Sequence, residues 1–273
     1  MNALQKAEFE ILREFVRICD ELQLTYFLVC GTALGAVKYG GFIPWDDDVD
    51  VALPRKDYEI FCERAQSFLP EHLFLQNHRT ESVYPRIYSK IRNSNTTYIE
   101  KTTSNIPMNH GVYIDVFPLD GYPSEAKEIK RFERQKKIRK LQIECALNVD
   151  YGFLRNTFFS LERCAGFHKK TAVIIDLLEK EMTKWPTDTS ALWCNHGNWQ
   201  GRLEYAPREQ YGDGLMVTFE GLPVRVPARY DEYLTQKYGN WRADLPPEKK
   251  VGHHYYDVMD LERSYRDYLS IKI

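Results

Sequence analysis

Between residues 3 and 22 apolar side chains recur three or four positions apart, at Leu4, Phe9, Leu12, Phe15, Val16, Cys19 and Leu22, with charged residues between them. That is the pattern of a helix with one buried face. Residues 24–30 (LTYFLVC) predict a short buried strand closed by Gly31, and residues 32–38 a short helix with Thr32 at its start and Gly40-Gly41 beyond its end. Residues 48–53 (DVDVAL) alternate charged and apolar positions, as a strand does when one face is polar, and Pro54 should end it. Further on, residues 56–68 read as a helix and residues 83–99 as a hairpin turning at Asn93-Ser94-Asn95. Residues 111–117 read as a strand stopped by Pro118.

After Ser124 the period changes to long helical runs that continue to Trp185. The tail from Phe219 carries one extended piece, then a helix from Pro227 through Tyr238 with Gly239 as its stop. This order predicts an α/β (α+β) chain in which a mixed sheet core is flanked by helices. A single domain is expected over 1–273, with its core at 1–123, a helical subregion at 124–215 and a C-terminal segment at 216–273.

Composition narrows the class. With 273 residues, 43% of them hydrophobic, the chain can bury a substantial core. A net charge of -2 offers no general attraction for nucleic acid, so no nucleic-acid partner is expected. The six cysteines, at 19, 30, 62, 145, 164 and 194, include no Cys-x-x-Cys pair and suit free thiols in a reducing cytoplasm. The N-terminus lacks the apolar run of a signal peptide, and no stretch approaches a membrane span, so a cytoplasmic protein is expected.

The chemistry concentrates at Asp46, Asp47, Asp48 and Asp50. Four neighbouring carboxylates repel one another unless solvent or a cation relieves the repulsion. An acidic run is often a solvated loop. Here the flanks Phe42-Ile43-Pro44-Trp45 and Val49, Val51, Ala52 and Leu53 draw it toward the core and favour a cation. In an extended segment Asp46, Asp48 and Asp50 share a side and Asp47 faces away. All-oxygen ligands suit Mg²⁺ or Mn²⁺.

Upstream, Gly31-Thr32 leaves helix N-terminal amides and a hydroxyl available to an anion. Asp115, between Ile114 and Val116, is costly to bury alone; it is expected to share the metal and could accept a hydroxyl proton. Lys90 and Arg92, two residues apart, could clamp a phosphate or be ordinary surface cations. Asp120 reads as a turn residue, and His253 and His254 as candidates for metal binding or proton transfer with no visible partner.

The segment GTALGAVKYGGFIPWDDDVDVALPRKDYE resembles the signature of the LicD family of phosphotransferases. KIRNSNTTYIE, GVYIDVFPLDGYP and VPARYDEYLTQKYGNW followed by LPPEKKVGHHYY are similar to its remaining blocks, in order. The resemblance implies a nucleotidyltransferase fold of the polymerase-beta type. In it Gly31-Thr32 forms the turn, Asp48 and Asp50 the paired metal ligands and Asp115 the third, with Asp46 contributing and Lys90 and Arg92 as supporting cations.

It further implies transfer of phosphocholine from CDP-choline to a sugar hydroxyl of a bacterial surface glycan, such as teichoic acid, lipopolysaccharide or capsule, releasing CMP. Glycerol phosphate or ribitol phosphate from another CDP-alcohol, nucleotidyl transfer releasing pyrophosphate, and a non-catalytic glycan-binding scaffold stay open. Acceptors in this family are commonly lipid-linked. The basic residues after Ser124, among them Lys127, Lys130, Arg131, Arg134 and Lys137, could therefore meet the inner face of a membrane or simply form a solvated face.

Overall fold

The structure, a computed structural model, describes residues 1–150, 152–198, 201–252 and 254–269. Helix α1 (Ala3–Glu21) starts from a capping box: the Asn2 side chain accepts from the Gln5 N–H while the Gln5 side chain accepts from the Asn2 N–H. Its buried stripe of Ile11, Leu12, Phe15 and Ile18 joins the main core. Strand β1 spans Phe27–Leu28, shorter than predicted, because the chain enters α2 (Cys30–Tyr39) at once. Cys30 makes that bend in the left-handed region at φ +52°, its N–H donating to the Tyr233 hydroxyl at 3.1 Å. Gly35 is needed for close packing: a Cβ there would meet the Gly41 carbonyl at 2.5 Å.

Next come β2 (Asp50–Pro54), α3 (Arg55–Arg64), β3 (Leu73–Gln76), β4 (Ser89–Asn93), β5 (Thr97–Glu100) and β6 (Val112–Gly121). The main sheet runs β1-β2-β6-β4-β3, with β2 and β6 parallel and the other pairs antiparallel. Two expectations are corrected. β4 and β5 do not form a hairpin, since β3 and β6 occupy both edges of β4 and β5 turns away to pair with β11 (Tyr256–Asp260). Nor does Pro118 stop β6. The Asp115 N–H points to Val49 on the β2 side, so the nitrogen of Pro118, three residues on, faces the opposite side, where β4 has already ended opposite Val116.

The helical region is observed as α4 (Ala126–Glu144), α5 (Phe153–Cys164) and α6 (Thr171–Met182). Phe132, Ile143, Ile174, Ile175, Leu178 and Met182 give it a small core of its own with Ile87. Beyond it the chain returns to the sheet, because β7 (Leu192–Cys194) pairs with the end of β6 and β8 (Tyr205–Pro207) pairs with β7.

After α7 (Arg208–Tyr211), β9 (Leu215–Phe219) and β10 (Leu222–Val226) form a hairpin through Glu220 and Gly221, both at positive φ. The sequence pattern had predicted only one extended piece there. Helix α8 (Tyr230–Tyr238) stops at Gly239, φ +66°, and α9 (Tyr265–Leu269) follows β11. The result is a mixed α/β arrangement of a curled sheet with helices. Among the described residues no helix is long and apolar enough to cross a membrane.

Candidate active site

The parallel pairing of β2 and β6 sets Asp50 directly beside Asp115. Residues 46–49 are irregular rather than strand, yet Asp46, Asp48, Asp50 and Asp115 all line one cleft of about 550 Å³. Gly31 forms its floor next to Asp46: a Cβ there would stand 3.0 Å from Asp46 Oδ2. Thr32 does not line the cleft. Its buried hydroxyl accepts the Asp50 N–H at 2.8 Å and so fixes where β2 begins.

Burial and mutual repulsion set the charge of these groups. Burial pushes Asp46 up to about 8, with Asp48 and Asp47 adding to it. Asp50 is pushed well above the carboxylate range by burial, then by Asp48 and Asp115, and Asp48 is raised by burial as well. Glu8, buried on α1, is raised by its own burial and then by Asp48, Asp46 and Asp47. Sequence reasoning missed Glu8, although it falls on the stripe Leu4, Glu8, Ile11, Leu12 that turns α1 toward the core.

Asp47 turns from the cleft as expected, but it has a task. Its carboxylate accepts the His254 backbone N–H at 3.0 Å and meets the His254 Nδ1 at 3.1 Å. Burial alone would lower His254. The hydrogen bond to Asp47 and the charges of Asp48 and Asp47 instead hold it up at about 10, so it is a cation at neutral pH. His254 Nε2 stands 3.8 Å from Asp48. His253 lies outside the described residues.

Lys90 and Arg92 are not an open clamp. Lys90 Nζ stands 2.9 Å from Asp115 Oδ1, 3.5 Å from Glu100 and 3.2 Å from the centre of the Tyr113 ring. The approach to Asp115 is a charge contact off the hydrogen-bonding direction, and Asp115 Oδ1 has no hydrogen-bond partner among the described residues. Arg92, fully buried, donates to Gln76, to the Gly111 carbonyl and to Glu100 Oε2, and it does not reach the cleft. Asp120 is not a turn residue: it lies in β6 and takes both Nε and Nη2 of Arg55, at 2.6 and 2.7 Å. Among the described residues, the cations that do line the cleft are His254 and Lys38, whose Nζ is held by the carbonyls of Trp241, Arg242 and Ala243.

A divalent cation suits this wall. The donors are all carboxylate oxygens, and burial and repulsion drive Asp46, Asp48 and Asp50 toward the neutral form, a strain that a bound cation would relieve. Asp47, Asp48 and His254 also bring ligand atoms within 4.8 Å of one another. Asp48 shares the cleft with Asp50 and Asp115, whereas Asp47 is turned toward His254. The other walls include Tyr39, Trp45, Tyr88 and Trp241, whereas Tyr84, Tyr98 and Tyr113 are buried away from the cleft.

Fold and cleft together define a mixed α/β protein with a carboxylate-walled cleft. Residues 23–138 match the LicD/FKTN/FKRP nucleotidyltransferase domain, so that part of the chain is similar to the LicD family. It is similar to the lipopolysaccharide cholinephosphotransferase LicD of Haemophilus influenzae, 28% identical over 255 residues, which cover 89% of this chain and 92% of that protein. An uncharacterized protein of Rickettsia prowazekii is 29% identical over 115 residues, 42% of this chain and 40% of its own length. The matched domain includes Asp46 through Asp115; the cleft wall from Gly197 onward, including His254, lies beyond it.

Proposed function

We propose that the protein transfers phosphocholine from CDP-choline to a sugar hydroxyl of a bacterial surface glycan, lipopolysaccharide first among them, and releases CMP. The observation that carries this reading is the convergence of Asp46, Asp48, Asp50 and Asp115 on one cleft with aromatic side chains on its other walls. The activity named for the Haemophilus influenzae relative supports it. Choline is favoured over glycerol or ribitol because a quaternary ammonium is held by aromatic faces and carboxylates, and Tyr39, Trp45, Tyr88 and Trp241 provide the faces.

Mg²⁺ or Mn²⁺ on Asp48, Asp50 and Asp115, with Asp46 beside them, would neutralise the diphosphate of the donor. Lys90 holds Asp115 in place from beneath. The charged His254 faces Asp48 and adds positive potential at the cleft. The acceptor hydroxyl oxygen forms a bond to the choline-bearing phosphorus as the bond from that phosphorus to the CMP oxygen breaks. Its proton passes to one of the carboxylates that line the cleft.

The test is to incubate the purified protein with CDP-choline, Mg²⁺ and lipopolysaccharide and follow the products by phosphorus NMR. CMP and a phosphodiester on the glycan are expected. Free phosphocholine, with CMP left on the glycan, would establish nucleotidyl transfer instead, and no turnover of any CDP-alcohol would overturn the reading.

A further inference from the structure

Outside the cleft, three side chains from two distant parts of the chain converge. His78 stands in the turn that follows β3, where the buried Asn77 side chain accepts the N–H groups of Arg79 and Thr80 and so fixes how the imidazole is presented. Asp176 and Glu179 lie three residues apart on α6 and therefore share one of its faces. His78 Nε2 is 3.0 Å from Asp176 Oδ1 and 3.5 Å from Glu179 Oε2, and the three atoms all lie within 4.8 Å of one another.

Ion pairs extend this group without balancing it. Arg79 donates to Glu179 Oε2 at 2.9 Å and to Glu59 at 2.7 Å, while Arg55 pairs with Asp120 and Glu59 and stands 3.6 Å from Glu179. Among the described residues of this network the carboxylates of Glu59, Asp120, Asp176 and Glu179 share the guanidiniums of Arg55 and Arg79, which leaves an excess of two negative charges when His78 is neutral. Asp120, His78 and Glu179 are buried, so that excess is costly. A dication cancels it.

The geometry favours zinc. Bonds of about 2.0–2.2 Å from Zn²⁺ to imidazole nitrogen and carboxylate oxygen put tetrahedral neighbours about 3.4 Å apart, and the separations of 3.0 and 3.5 Å bracket that spacing. An imidazole with two carboxylates is a softer donor set than the carboxylate wall of the cleft. The Arg79 guanidinium on Glu179 is the outer hydrogen bond that a ligating carboxylate ordinarily carries. Asp176, half exposed, leaves a way in for the ion and room for a water as fourth ligand. We infer that His78, Asp176 and Glu179 form a zinc site, separate from the cleft, that ties α6 and the helical region to the sheet core.

Titration calorimetry with Zn²⁺ on the wild-type chain and on Asp176→Asn, His78→Gln and Asp50→Asn separates the two places where the ion could sit. Wild type and Asp50→Asn are expected to share a zinc site of equal affinity. Losing only an outer partner costs metal sites about 10–100-fold, so loss of a ligand in Asp176→Asn or His78→Gln should weaken zinc binding by at least about tenfold. No zinc binding by wild type overturns the inference, as does full affinity in a folded Asp176→Asn, or a loss confined to Asp50→Asn.

Should His78→Gln fail to fold, the half-exposed Asp176 keeps the test open, and hydrogen exchange of the wild type adds a second readout. Zinc is expected to slow exchange across α6 (Thr171–Met182). Protection confined to residues 46–50 would put the ion in the cleft and overturn the inference. No CDP-alcohol enters either assay, so the result stands apart from the transfer reading.

Discussion

Asp50 is almost fully buried beside Asp115, and among the described residues its carboxylate has no hydrogen-bond donor. Replacing it by Asn keeps its shape and removes a charge the fold does not favour. Asp50→Asn is therefore expected to melt no lower than wild type in EDTA, to lose the stabilisation that Mg²⁺ gives wild type, and to lose about a hundredfold or more in turnover. A variant that still turns over and still responds to Mg²⁺ would remove Asp50 from the metal set.

The raised carboxyls also fix a pH dependence. Asp46, at about 8 against an ordinary 3.8, keeps its proton in the folded chain at pH values where the unfolded chain has released it. Without cation, stability therefore falls as pH rises from about 4 toward 8. Cation binding needs the deprotonated ligands, so Mg²⁺ affinity should rise between pH 6 and 8, by up to about tenfold per unit for each proton displaced. Calorimetry in two buffers of different ionisation enthalpy measures the protons released; a flat affinity across that range would show the carboxylates already charged.

At the scale of elements, β4, β5 and β6 share a buried layer of charge in which Lys90 and Arg92 face Asp115 and Glu100. Burial would raise Glu100, but Lys90, Arg92 and Arg86 hold it far below the carboxylate range. Lys90→Met leaves two buried carboxylates short of a cation and is expected to cost about 3–5 kcal/mol, read from urea unfolding. A cost under about 1 kcal/mol would mean the layer does not hold the strands.

The period-two spacing of Lys90 and Arg92 made their shared face legible in the sequence. What that face meets was not legible, because Glu100 stands on a strand of another sheet. The same limit explains the missed hairpin, since local turn residues report a reversal of the chain but not which edges distant strands already fill. Asp50 and Asp115 could be named from alternation of charged and apolar positions within their own strands, and Asp48 from the same alternation although it lies just before β2. His254 could be named only as a candidate without a partner and Lys38 not at all, because their partners, Asp47 and the carbonyls near Trp241, are about 200 residues away in sequence.

For the whole molecule the net charge of -2 conceals a division. Residues 126–182 carry thirteen Lys and Arg against eight Asp and Glu, whereas the cleft is walled by carboxylates. On α5, Leu154, Phe158 and Leu161 form a stripe at i, i+4 and i+7, exposed by 83%, 46% and 66%, while Phe159 anchors the opposite face. An apolar stripe within a basic region fits the surface of an anionic bilayer, where basic residues add roughly 1 kcal/mol each near the surface. If the acceptor is lipid-linked, such a contact would hold the cleft near its substrate. The protein is therefore expected to float with phosphatidylglycerol-containing vesicles and not with pure phosphatidylcholine, less so as salt rises. Leu154→Asp with Phe158→Asp should abolish flotation while CMP release with a soluble acceptor persists. Equal flotation on both vesicle types would remove the electrostatic half of the argument. A dimer in light scattering that the double variant dissociates would instead assign the stripe to a second copy of the chain.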